Sequence, residues 1–331
     1  DDYFVLSQSL SYQHYALNNY NTGLFTFGNG TSRNLSYTVG LTRSNKGVNP
    51  IFPMYGSEFS VSAKLTPPYS LFSNTDYATL GDQEEYKYRH IGSTYTGTNG
   101  ILVNEGDYLE SLPSSTNPFP NRVARFQDGA ADPAKVDQEK YNWLEYHKWM
   151  FDASFFTPVF GSSKWVASAR AHMGFVGSYG NKIGIIPLER FVMGGDGMTF
   201  NNFALGQEII GLRGYENQTI TPGRETRGTA NPDPYGGVVY NKYVMELRFL
   251  VSPNPSATIF LLGFAEAGNN WGSYRDFNPY DLKKSAGVGA RIFMPAFGLL
   301  GVDWGYGFDA IPGSLERSGP QFHFTIGQQF R

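Results

Sequence analysis

Arg213 is the side chain whose surroundings most invite a specific chemistry, because it sits at the centre of Gly211-Leu212-Arg213-Gly214-Tyr215. A guanidinium flanked by glycine and near an aromatic is most often a solvated turn residue. If the turn folds into the protein instead, the charge needs a partner, since an uncompensated buried charge costs about 3–5 kcal/mol. A carboxylate matches the planar fork of arginine bidentately. Glu266 is the first candidate and Glu246 the second, and the competing reading for both is plain polarity on one face of a strand. Other chemistry is poorly represented. There is no His-Glu-x-x-His, no Gly-x-Ser-x-Gly elbow and no phosphate loop. His14, His90, His147, His172 and His323 are scattered, and each reads as a strand or loop residue rather than a metal ligand. Gly287 and Gly289 lie in a strand-like stretch with no helix after it, which rejects a dinucleotide fingerprint. Cysteine is absent, so neither a thiolate metal site nor a disulfide framework is available. The expectation is a chain that is not an enzyme and takes no metal or organic cofactor.

The elements that must carry these residues follow from composition and pattern. The formal net charge of -3 gives no electrostatic case for nucleic acid. Gly 39, Tyr 22 and Phe 26, with only 17% charged residues, suit many strands joined by turns better than helices. The chain begins Asp1-Asp2 without Met, which reads as a processed or trimmed product. No window approaches 18 consecutive apolar residues, so a transmembrane helix is not expected. Only a closed barrel, whose backbone groups pair strand to strand, then remains as a way through a membrane.

Period-two alternation recurs along the chain. Leu300, Val302, Trp304, Tyr306 and Phe308 oppose Gly301, Asp303, Gly305, Gly307 and Asp309. Tyr243, Met245, Leu247, Phe249 and Val251 oppose Lys242, Glu246 and Arg248. Ten strands are expected at 3–14, 34–43, 56–66, 140–156, 164–177, 237–251, 257–268, 283–295, 299–309 and 320–330. Three features favour a transmembrane barrel over a soluble sandwich. The segments match a tilted membrane span of about 9–11 residues. Aromatics such as Trp143, Phe155, Phe156, Trp165 and Phe308 fall near segment ends, as interfacial girdles do. Tight turns near 251–257 and 295–299 alternate with long polar loops at 67–139 and 178–236. The last strand sets Phe322, Phe324, Ile326 and Phe330 on one face.

The loop 178–236 pairs Phe191-Val192-Met193-Gly194-Gly195 with the Leu212-Arg213-Gly214-Tyr215 tip, across an apparent insertion around 197–209. This resembles the sixth extracellular loop of the BamA family, with its aromatic-x-x-Gly-Gly stretch and (Val/Ile/Leu)-Arg-Gly-(Phe/Tyr) tip. Met245-Glu246-Leu247-Arg248-Phe249, Phe264 to Trp271, and Ser285-Ala286-Gly287 are similar to the strands that follow in that family, in the same order. The resemblance covers about 143–331 and, more loosely, 34–66. It implies an all-β fold, a transmembrane antiparallel β-barrel integral to the bacterial outer membrane. Residues 1–331 would supply about the last ten of sixteen strands, without the early strands or the periplasmic POTRA domains.

It further implies that the tip folds into the barrel, with Arg213 anchored on Glu266 and Glu246. The implied function is the folding and insertion of other β-barrel proteins, as core subunit of an assembly machinery. Phe322, Phe324, Ile326 and Phe330 would then belong to the seam strand lent to the client. The implied partners are unfolded outer-membrane clients, accessory lipoproteins and outer-membrane lipids, with no nucleic acid. The alternatives are a single-partner polypeptide secretion transporter of the same superfamily, a porin-like channel, an outer-membrane phospholipase with a dispersed Ser–His–acid site, and a soluble β-sandwich.

Overall fold

A computed structural model describes residues 3–18, 27–47, 49–87, 94–96, 102–104, 131–180, 182–197, 207–223, 236–295 and 298–326. Ten strands form one antiparallel sheet: β1 (Phe4–Leu17), β2 (Gly30–Ser44), β3 (Gly56–Leu65), β6 (His147–Pro158), β7 (Trp165–Gly177), β10 (Val239–Ser252), β11 (Thr258–Trp271), β12 (Lys283–Met294), β13 (Gly298–Ala310) and β14 (Arg317–Ile326). Each pairs with its neighbours in that order. Two short pairs lie in the loops: β4 (Thr94–Thr96) with β5 (Leu102–Asn104), and β8 (Phe191–Met193) parallel to β9 (Glu208–Ile210). Among the described residues β1 and β14 share no ladder, so the sheet is a curved wall segment rather than a closed ring.

The two faces of the wall are inverted relative to a soluble protein. Leu6, Leu10, Tyr37, Leu41, Met245, Leu261, Val288, Trp304, Phe322 and Phe324 point outward and are exposed. The other face buries Lys148, Lys242, Glu246, Arg248, Glu266, Arg291 and Asp303. Water-soluble monomers rarely expose a continuous apolar band, and they seldom bury charge without pairing it. An apolar exterior around a charged, paired interior is what a barrel in lipid requires. The connections agree, being tight at 159–164 and 253–257 on one rim and long at 66–146 and 178–238 on the other.

All ten expected strands are present, with shifted ends. The expected strand 140–156 begins only at His147, because helix α2 (Pro133–Lys140) occupies the preceding turn. That helix has a proline in its first turn, and the Asp132 side chain caps it by accepting from the Ala134 N–H. Trp143 is therefore no girdle residue; it packs on Tyr69 at 4.9 Å between ring centroids, with Arg33 over its face. Phe156 also departs from the girdle. It points inward and lies under Arg248, while Phe155 faces out. Trp165 and Phe249 do form an outward aromatic pair at the tight-turn rim, 4.7 Å apart.

The loop 67–139 is not simply polar surface. Among its described residues it contains α1 (Tyr69–Phe72) and α2, and it buries Tyr77 and Leu80 against Ile183 of the next long loop. The end of the interior nearest the tight turns is filled rather than open. Phe52, Phe156, Val166, Phe260, Leu262, Phe264 and Leu299 make one apolar cluster there, with Phe52 edge-on to Phe260.

Candidate functional site: the seated loop tip

The loop between β7 and β10 enters the interior as two limbs held together by backbone bonds. Gly195 and Leu212 exchange N–H to C=O bonds at 3.2 and 3.0 Å, and the Ile220 N–H donates to Met193 at 3.0 Å. The glycine pair in the first limb has a steric cause. A Cβ on Gly194 would lie 2.5 Å from the Glu216 carbonyl oxygen, and one on Gly195 would strike Asn217. Both also have positive φ, which glycine adopts without penalty.

This folding drives the tip into the inner wall. Leu212, Arg213 and Tyr215 are fully buried. The Arg213 Nε donates to Glu266 Oε1 at 2.8 Å, and its backbone N–H donates to Glu266 Oε2 at 2.8 Å. Nη2 donates to Glu246 Oε1 at 2.7 Å, and Nη1 lies 3.5 Å from Asp303 Oδ1. The guanidinium rests on the Phe264 ring, 3.7 Å from its centroid. Burial works against the charged form of Arg213, but Glu266, Glu246 and Asp303 outweigh it and hold the group still more firmly protonated.

The carboxylates have further partners. Arg170 and Arg248 donate to Glu246, Arg291 forks onto Asp303 at 2.9 and 2.7 Å, and Lys242 lies 3.7 Å from Glu266. The result is one connected network across β7, β10, β11, β12 and β13.

The residues around Arg213 finish the seat. The Gly214 N–H donates to His323 Nε2 at 2.9 Å, which ties the tip to β14. The Tyr215 hydroxyl donates to the Lys284 carbonyl at 2.8 Å. Gly214 lies so close to β13 that a Cβ on Gly305 would sit 2.8 Å from its nitrogen, and one on Gly307 would sit 2.4 Å from its oxygen. The glycine row on the inner face of β13 is the floor on which the tip lies.

The structure therefore brings together Leu212, Arg213, Gly214, Tyr215, Glu266 and Glu246. Glu266 shares its face with Leu262 and Phe264, both inward and buried, and Phe264 is the ring beneath the guanidinium. Phe322, Phe324 and Ile326 point away from this site, outward from β14. Phe330 and most of the 197–209 stretch lie outside the described residues. Sequence reading did not single out Asp303, Arg291, Arg170, Lys242 or His323. Asp303 had a signal, as the sole charge among the glycines 301, 305 and 307 on the inner row of β13.

Comparison with known proteins agrees with this geometry. Residues 129–330, well over half of the chain, match the Omp85 superfamily domain. The fold is similar to the crystal structure of BamA from Haemophilus ducreyi lacking POTRA domains 1-3, with a TM-score of 0.55 and 16% sequence identity. That match covers 99% of this chain and 52% of the other, so this chain spans about half the length of that structure. A search of curated proteins returned no match. A barrel wall with a charged interior, an arginine-tipped loop seated on it and a family match across most of that wall lead to one assignment: the chain belongs to the Omp85 superfamily.

Proposed function

We propose that this barrel folds and inserts β-barrel proteins into the bacterial outer membrane, as the core subunit of an assembly machinery. The observation that carries this reading is the inward loop tip bonded to the last described strand. Arg213 fixes the tip on the wall, and Gly214 passes the constraint to His323 of β14. A strand at the end of a sheet presents unpaired backbone groups, which are costly in lipid. Offering such an edge to a client's terminal strand lets the client satisfy its own groups as it enters the membrane. Phe322, Phe324 and Ile326 face outward on that strand and would meet lipid beside the client.

In this reading the chain is not an enzyme and uses no cofactor. Strand pairing replaces bond chemistry, and the partners are unfolded clients, accessory lipoproteins and the surrounding lipid. A porin is the weaker reading, because the loop tip and the Phe52–Phe260 cluster cover the inner face of the wall that would otherwise line a channel.

The test is depletion of the intact protein in its host, with the other outer-membrane barrels quantified by mass spectrometry. A fall across unrelated barrels is the expected result. Loss of one secreted polypeptide with other barrels intact would assign the chain to single-partner secretion, and loss of one nutrient's uptake to a channel.

A further inference from the structure

Glu189 lies in the first limb of the same loop, two residues before Phe191, and the Arg213 network leaves it unused. Its backbone has a φ of 61°, a left-handed conformation unusual for a residue with a side chain, and it is 3% exposed. Strain of this kind persists only where the surroundings over-determine it. The surroundings here are three donors on one carboxylate. Lys64 Nζ donates to Oε1 at 2.5 Å, Lys148 Nζ to Oε2 at 3.2 Å, and the Tyr146 hydroxyl to Oε1 at 3.2 Å. Lys148 Nζ also donates to Glu208 Oε2 of the second limb at 3.4 Å and stands over the Phe191 ring. Burial alone would raise the Glu189 carboxyl, but Lys148 and Lys64 outweigh it and hold it below the ordinary carboxylate value.

The two charged anchors of the loop thus lie on opposite sides of its point of entry. The loop emerges between β7 and β10. Glu189 turns one way, to lysines on β3 and β6, and Arg213 turns the other, to carboxylates on β10, β11 and β13. We propose that the loop is seated by a charge-coded clamp at two points, with Glu189 as the positioning residue that docks its first limb on the β3–β6 wall. The signs make the seating directional. A reversed loop would set Arg213 against the ammonium groups of Lys64 and Lys148, a like-charge arrangement that disfavours the wrong pose. The two anchors reach from β3 to β13 along the wall.

The experiment is hydrogen–deuterium exchange on the intact protein in detergent, following peptides over 183–193 and 207–215. E189Q and E189G should each speed exchange across 183–193 by at least about tenfold, with 207–215 still protected by Arg213. E189G separates the carboxylate from the backbone, because glycine relieves the positive φ while removing the charge. E189K should be worse than E189Q, and adding K64E to E189K should recover part of the protection, which a purely steric role would not allow. K64M is the mild variant, since Lys64 is only partly buried, and it should loosen 183–193 even if no Glu189 variant folds. Unchanged exchange in E189Q and K64M would overturn the proposal. So would exchange in E189G slower than in the parent, or an E189K/K64E protein no better than E189K. These readouts do not depend on client insertion, so they stand apart from the test of the assembly reading.

Discussion

The Gly214 N–H points at His323 Nε2 from 2.9 Å, so the loop tip and the last described strand share a buried hydrogen bond. The imidazole accepts through Nε2, which leaves its proton on Nδ1. A loop that leaves the wall between β7 and β10 is thereby joined to a strand four places along the sheet from β10.

H323A should leave the Gly214 N–H buried without an acceptor, a loss of about 1–3 kcal/mol. Urea unfolding in detergent, followed by tryptophan fluorescence, measures it. An unchanged midpoint would mean that the contact does not hold the tip to β14.

Removing the guanidinium should cost more. R213A breaks three buried ion pairs at once, and breaking a buried pair costs about 3–5 kcal/mol. Glu246 keeps Arg170 and Arg248 and Asp303 keeps Arg291, while Glu266 is left to Lys242 at 3.7 Å and a backbone N–H. R213K keeps the charge but loses the fork and the flat contact with Phe264, so it should fall between the parent and R213A. The temperature at which the folded band shifts in a gel ranks the three. R213A/E266A should be less destabilised than the sum of its single changes, because the pair interacts directly.

The glycine floor makes a steric prediction. G305A places a methyl 2.8 Å from the Gly214 nitrogen and should cost about 1–3 kcal/mol by lifting the tip. Gly263 is the control, since its Cβ would meet nothing within 4 Å. G263A should leave the unfolding midpoint nearly unchanged. Equal effects of the two substitutions would contradict the idea of a floor.

Glu189 makes the site acid-sensitive in a definite direction. Its folded value is depressed below the ordinary 4.5 by Lys148 and Lys64 acting against burial. Its stabilisation is therefore complete above about pH 4.5 and lost as pH falls through the lower folded value. The stability gap between the parent and E189Q should be constant near neutrality and shrink in acid. A gap that widens on acidification would reverse the assignment.

Much of this fold was legible because lipid imposes period two on every strand. Leu300 to Phe308 and Tyr243 to Val251 alternate cleanly, and both rows face outward. Legibility failed at 140–146, where apolar and aromatic residues beside the strand read as its continuation, although a capped helix and a turn precede it. On β11 the pattern was ambiguous because Leu262 and Phe264 share the face of Glu266. Seating the tip resolves it, since the aromatic face supports the guanidinium. The pairing of Arg213 with its two glutamates could be proposed from charge complementarity once the resemblance had placed the tip inside. Asp303 and His323 could not, because each looks like ordinary interior polarity until the tip is placed against it. Glu189 was invisible for a different reason: Lys148 and Lys64 lie 41 and 125 residues away along the chain.

The most direct test of the assembly reading is reconstitution. The intact protein would be placed in phospholipid vesicles and given a urea-unfolded client barrel, with its folding followed as the heat-modifiable fraction over time. Client folding should be faster than in empty vesicles, with most of that gain lost in R213A. Client folding at the same rate with and without the protein, under conditions where its own barrel is folded, would contradict the assembly reading.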